Sequence, residues 1–276
     1  MAGNTTEALP ARPAAPAATG RGGGEPLWRH PLALRLLSVA VVCGAWEWGG
    51  LVPISPSFPT FSATMAATWE MLASGELPRA FWITLQPLAL GLLISAIAGI
   101  AVGVAMGLSR LAEWLGAPVF IVLQSAPLAA LIPMLTFVYG IGLTSKVLVV
   151  CIMAMPVIVL NSYNAVRHTS ASLIEMGRVF QASPAQSILK IILPAASPVI
   201  FAGLRLGAAA GFIGAILAEL LITPTGIGDI ITYNQSVAEY ARMYSAILSV
   251  IVFSVLFIEF LEWIEVTVFR PEKRGR

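Results

Sequence analysis

The stretch LALGLLISAIAGIAVGVAMGL, residues 88–108, carries no charged residue, and about 20 mostly apolar residues are what a helix needs to cross a bilayer. Within it Gly91, Ser95, Gly99, Gly103 and Gly107 recur at every fourth position. On a helix that spacing puts the smallest side chains on one face and lets another backbone come close. Outward from this segment, apolar runs at about residues 36–52, 119–139, 147–163, 200–222 and 246–261 complete a set of six. The expected fold is an all-α integral membrane protein with six transmembrane helices. The fifth run repeats the small-residue device with Gly203, Gly207, Gly211 and Ala215, and Glu219 stands at the next step. In the third run Pro127 and Pro133 are expected only to kink the helix, since neighbouring groups in a bundle re-satisfy the freed carbonyls.

Composition agrees with lipid as the solvent. Of the 276 residues 58% are hydrophobic and 11% charged, whereas a soluble domain is about a quarter charged. Six spans leave little chain for a soluble catalytic domain. No cluster of Lys and Arg interleaved with aromatics is present, which sets nucleic acid aside. Cys43 and Cys151 lie in apolar runs far apart, so neither a disulfide nor a metal site is expected. Residues 1–30, rich in Ala, Pro and Gly, are expected to be a disordered cytoplasmic tail. Residues 31–76 hold the first span and an external segment, 77–266 form the transmembrane domain, and 267–276 form a basic cytoplasmic tail. Arg29 and Arg35 precede the first apolar run, but no small-x-small cleavage site follows, so the run is read as an uncleaved span.

Lys and Arg set the orientation. With the N-terminus inside, only Arg79, Lys146 and Arg242 of the 16 basic residues fall outside, so both termini are expected in the cytoplasm. The external segment between the first two spans, residues 55–79, carries Trp69, Met71 and Leu72 near Glu70 and Glu76. This stretch reads either as an interfacial helix or as an ordinary external loop.

Ionisable residues inside spans are costly and are functional candidates by default. Glu47 and Glu219 lie near the outer ends of their spans, and Glu259, Glu262 and Glu265 approach the inner surface; His30 and His168 fall outside. Glu219 is the candidate for the substrate pathway. No midplane carboxylate, histidine or broken helix is evident that would couple an ion gradient to a solute. Work is therefore expected from a partner.

Between the fourth and fifth spans lies HTSASLIEMGRVFQASPAQSILKIILPAASP, residues 168–198, too polar to cross yet helix-patterned. Leu173, Met176 and Phe180 share one face of a first short helix. Ser183, Pro184 and Gln186 supply an N-cap, a first-turn proline and a capping-box partner for a second, whose apolar face is Ile188, Leu189 and Ile192. Two amphipathic helices joined by a tight turn make a knob able to pass force between a cytoplasmic protein and the spans.

This segment resembles the EAA loop of ABC importer permeases, which reads Glu-Ala-Ala, three residues, Gly, nine residues, then Ile-x-Leu-Pro. Glu175 matches the acid, and Ile191, Leu193 and Pro194 match the close. Gly177 replaces the second Ala, and Gln181 stands where a turn glycine is expected, a left-handed position that glycine holds without cost. GLSR at Gly107, ALIPMLTFVYGIG at Ala130 and TGIGDII at Thr225 are similar to the nitrate, sulfonate, taurine and bicarbonate branch of these permeases. The resemblance implies a type I importer permease of the bacterial inner membrane, not an enzyme, working as a homodimer with ABC ATPase subunits and a periplasmic or lipid-anchored solute-binding protein. It implies that residues 168–197 are the coupling loop, and that ATP and Mg are bound by the ATPase and not by this chain, which lacks a G-x-x-x-x-G-K-[ST] sequence. Tyr233, Asn234 and Glu239 are candidates to touch the binding protein. The contrasting expectation, an autonomous channel or ion-coupled transporter, requires solute flux through this chain alone.

Overall fold

A computed structural model describes residues 31–52, 55–222 and 225–269. Every regular element among the described residues is helical. Of the tails expected at residues 1–30 and 267–276, residues 1–30 and 270–276 lie outside the described residues, while 267–269 are the end of the last helix. Chain contacts separate Met1–Ala45 from Trp46–Arg276. In the first unit the described part is the beginning of α1 (Pro31–Leu51), where Leu36, Leu37, Val39, Val41 and Val42 are all exposed. Apolar side chains around a whole helix, with no protein over them, suit lipid.

In the second unit three long helices form the centre: α3 (Glu76–Leu108), α6 (Leu143–Arg167) and α9 (Leu193–Leu221). The glycine stripes decide how they pack. A Cβ on Gly91 would meet Val150 at 2.5 Å, and one on Gly107 would meet Val166 at 2.6 Å, so α3 and α6 run parallel. At Gly103 the neighbours are the Val159 carbonyl at 2.5 Å and Ser162 Cβ at 2.6 Å, backbone and a short side chain that cannot swing away. Gly99 faces Ile158 on the same seam, and Ser95 is fully buried between Gly91 and Gly99. Along α9, Gly203 lies on Asn161, Gly207 on Ile158, and Gly211 on Leu92 and Val150, which makes α9 antiparallel to α6. Both stripes expected from sequence are thus contact faces, and α6 is the helix they share.

The bundle therefore has two ends. One carries the end of α3, the end of α6 and the start of α9, with the connecting segment α7 (Ala171–Val179), α8 (Pro184–Ser187) and a π-helical turn at Ile188–Ile192. The other carries the start of α3, the start of α6, the end of α9 and α10 (Gly226–Ser236), and α11 (Tyr240–Phe269) begins there and returns. Exposed tryptophans occupy both ends, Trp69 and Trp82 at one, Trp114 and Trp263 at the other, as at membrane–water boundaries.

Of the two readings of residues 55–79 the structure has the helix, α2 (Phe61–Ala73), capped by Thr60, whose hydroxyl accepts from Ala63 N–H at 3.2 Å. It buries Thr64, Ala67 and Met71 and holds α11 through Thr68 and Ser245 at 2.8 Å, leaving Trp69 exposed. Glu47 accepts from the backbone and hydroxyl of Ser62, both at 2.8 Å, and so covers the N-terminus of α2.

The third span departs from expectation. Instead of one kinked helix there are two, α4 (Arg110–Ser125) and α5 (Ile132–Tyr139), joined by a 3-10 turn at Leu128–Leu131 and bent by 90°. Pro127 has no N–H to give the Leu123 carbonyl, and Leu128 N–H turns back to Ala126 instead of reaching Gln124. Two consecutive helical bonds are lost, which ends the helix where one loss would have kinked it. With the bent pair counted as one span, six candidate spans are present among the described residues.

Candidate functional site

The connecting segment is built by two capping devices. At the end of α7, Ala182 N–H donates to Gly177 O and Gln181 N–H to Arg178 O, both at 2.9 Å, with Gln181 at φ +52°. That is a Schellman stop, and its left-handed position is held by Gln181, where the sequence pattern leads one to expect glycine. Ser183 then starts α8 with a reciprocal capping box, its backbone N–H donating to Gln186 Oε1 at 2.9 Å and its hydroxyl accepting from Gln186 N–H at 3.3 Å. Gly177 is buried, and a Cβ there would meet the tip of Ile191 at 2.6 Å. So Gly177 and Ile191, 14 positions apart in the expected motif (191 − 177), are the contact that closes the knob.

The close of the motif has its own geometry. Leu193 N–H reaches back five residues to Ile188 O, a π-turn. Its position follows from Pro194, which cannot donate to Lys190 O and whose ring crowds that carbonyl. Pro198 likewise leaves Pro194 O without a donor, and the Ser197 hydroxyl fills the gap at 2.9 Å. Leu193 is half-buried, while Glu175 is exposed on α7. Of the apolar faces expected here, Leu173, Ile188 and Ile192 are half-buried, but Met176, Phe180 and Leu189 point outward at 46%, 77% and 65% exposure, beside Val179. Met176 and Phe180 border a hollow of about 240 Å³ that Gly177, Gln186, Lys190 and Ile191 also line.

At the opposite end Glu219 is fully buried. Its Oε2 accepts from Thr84 Oγ1 at 2.9 Å and from Gly228 N–H at 3.1 Å, and Ile227 N–H donates to Thr84 Oγ1 at 3.1 Å. The carboxylate of α9 thereby caps α10. Gly226, at φ +67°, and Gly228 wrap so closely that a Cβ on either would collide with Glu219, which explains the Gly-Ile-Gly run. Lys146 Nζ lies 3.9 Å from Glu219 Oε1 and donates to Thr225 Oγ1. Sequence reasoning placed Lys146 in an external loop because the apolar run begins at Val147. In the fold it is buried in the first turn of α6, and it lines a cavity of about 310 Å³ with Gln86, Ile141 and Thr225.

Several other charges tie helices together. Arg205 joins Glu262 at 2.9 Å and Glu265 at 2.5 Å, linking α9 to α11. Glu113 accepts from Tyr163 at 2.6 Å and pairs with Arg167 at 3.7 Å, linking α4 to α6. Arg242 pairs with Glu70 at 3.4 Å and with Glu76. Among the outer-segment candidates Tyr233 and Glu239 are exposed, but Asn234 is buried and donates to Ile230 O at 2.7 Å.

Residues 91–270 match the family model described as "Binding-protein-dependent transport system inner membrane component". The chain is 31% identical to the putative aliphatic sulfonates transport permease protein SsuC of Bacillus subtilis, over 77% of this chain and 78% of the relative. It is 28% identical to the taurine transport system permease protein TauC of Escherichia coli, covering 77% and 80%, and 30% identical to the bicarbonate transport system permease protein CmpB of Synechococcus elongatus, covering 79% and 86%. Among solved structures, the inward-facing MetNI methionine ABC transporter matches with a TM-score of 0.58 at 21% identity, over 71% of this chain and 95% of that one. That likeness carries the fold.

Proposed function

The chain belongs to the family of binding-protein-dependent transport system inner membrane components, and from that premise we propose how its parts divide the work of an importer. It is the membrane permease subunit of an ABC importer in the sulfonate, taurine, nitrate and bicarbonate branch. ATP hydrolysis lies in a separate subunit, and a binding protein works with it. The end of the bundle that carries residues 168–197 faces the cytoplasm, a reading supported by the thirteen basic residues the sequence assigns to that side. Two copies of the chain form a homodimer with the solute passing between them. The solute is small and polar, as the relatives' names suggest for their own cargo.

Glu175, Gly177, Gln181, Ile191, Leu193 and Pro194 form the coupling element. The observation that carries this is the knob itself, held rigid by a Schellman stop and a capping box, yet with Met176, Val179, Phe180 and Leu189 uncovered. Uncovered apolar groups on a segment outside the spans mark a surface that a partner covers. At the other end Lys146, standing in front of Glu219 in the outer cavity, is the group that an entering solute meets, and Glu219 holds it in place.

The test is purification of the chain from its native membrane with its partners, then ATPase and uptake assays on the complex. Recovery of an ATPase that Phe180→Asp strips away, and whose hydrolysis Glu175→Ala uncouples from uptake, is the expected result. A solitary chain that moves solute in vesicles without ATP would overturn the reading in favour of an autonomous transporter.

A further inference from the structure

Near the exposed Trp263, at the membrane boundary, Arg205 of α9 meets Glu262 and Glu265 of α11 through its Nη atoms, while its Nε has no acceptor among the described residues. Glu265 is buried, but Glu262 is 57% exposed and the Arg205 side chain 26%. With two acids and one base the cluster carries one net negative charge. An exposed carboxylate there favours a cation, and a guanidinium with N–H groups to spare favours an acceptor. Next in sequence to Arg205 and Glu262, at Leu204 and Leu261, a crevice of about 350 Å³ begins. Leu92 and Ala96 of α3, Ile158 of α6 and Phe257 of α11 continue it toward the middle of the bundle, and every side chain along it is apolar. On α3 the lining runs from Ala96 to Ala89, about 10 Å of helix. Water does not fill a wholly apolar hollow. A helix of a second copy takes about 800 Å³ per 10 Å of its length, too thick to enter, whereas a single acyl chain is slender enough.

We propose that the crevice between α3, α6, α9 and α11 is a phospholipid site: one acyl chain of an inner-leaflet phosphatidylethanolamine lies in it, with the phosphate on Arg205 and the primary ammonium on Glu262. The inference goes beyond the importer reading and takes from it only the choice of leaflet. Among lipid tails no hydrophobic force drives a chain into the crevice; the gain is dispersion contact, which any acyl chain supplies. Preference among lipids therefore comes from the head. Phosphoethanolamine carries an acceptor and an N–H cation on one short linker, which answers both needs of the Arg205 cluster. A quaternary choline head has no N–H to give Glu262, and an anionic glycerol head meets a cluster that is already negative.

The experiment purifies the full importer complex in mild detergent and counts retained phospholipid by native mass spectrometry. The complex is then stripped of lipid and titrated with dioleoyl phosphatidylethanolamine, phosphatidylcholine and phosphatidylglycerol. Ala96→Phe fills the crevice, with Ala89→Phe as a second position should the first fail to accumulate, and Glu262→Gln removes the exposed charge. The expected result is a retained ethanolamine lipid in the parent, bound at least tenfold tighter than the other two. The filled variant should lose that lipid, and Glu262→Gln should bind all three alike. Retention undiminished by the filling would overturn the crevice as the site, and equal binding of the three lipids by the parent would overturn the head assignment. A parent that retains no phospholipid sinks the proposal, and if filling the crevice then splits a dimer, the occupant is a second copy of the chain.

Discussion

Glu219 shows how much a single side chain can organise when it is placed before a tight glycine turn. Its carboxylate satisfies α10, orders Thr84 and neutralises Lys146 in one place. Removing it strands a buried ammonium, which costs roughly 3 to 5 kcal/mol. Glu219→Leu should therefore lower the melting temperature of the detergent-solubilised chain strongly, and Lys146→Met added to it should restore the part owed to the stranded ammonium but not the part owed to the Gly228 N–H and Thr84 hydroxyl left without their acceptor; a double variant as unstable as the single would show that the pair is not the unit. At Gln181 the left-handed backbone costs a non-glycine residue about 1 kcal/mol or somewhat more. Gln181→Gly should keep ATPase stimulation intact and match or exceed the parent in thermal stability, while Gln181→Val should depress both. The left-handed turn at residue 181 was legible in the sequence, from the place where the motif expects glycine. The Lys146 to Glu219 pairing was not, because nothing local links residues 73 positions apart (219 − 146) and an apolar-run boundary does not register a buried lysine.

Among the helices, the four-residue glycine period was read correctly as contact, since a small face on an apolar helix has few other uses. Which helix lay opposite could not be read, because every span offers apolar partners and only depth and direction select α6 for both stripes. On the α3 stripe Gly103 has no room to relax, facing a backbone carbonyl at 2.5 Å. Gly103→Val should separate α3 from α6 and abolish assembly, measurable as loss of the monodisperse peak in size-exclusion chromatography. The third span was misjudged for a specific reason. A single proline removes one hydrogen bond, but here the following N–H also turns back on itself, and this second loss depends on a 3-10 turn that no residue type announces. The capping box at Ser183, by contrast, is fully local and was visible in the letters.

For the molecule as a whole, the two ends carry different chemistry. One end is a rigid knob with apolar groups uncovered; the other is a polar clamp sealed by a glycine turn; the broken span connects their levels. Pro194→Ala restores a donor for Lys190 O and should convert the π-turn into ordinary helix, rotating the knob relative to α9. The complex should then hydrolyse ATP with uptake reduced tenfold or more, an outcome read by comparing phosphate release with solute accumulation; undiminished uptake would show that the turn is not needed for transmission. The Lys146 to Glu219 clamp also dictates an order of manufacture. At about 5 to 20 residues per second of synthesis, α6 waits roughly 4 to 15 s in the membrane before its acid is made. During that interval the lysine must rest at the bilayer surface, so a nascent chain that never receives Glu219 is an obvious target for membrane quality-control proteases, and low cellular abundance should precede any defect in transport.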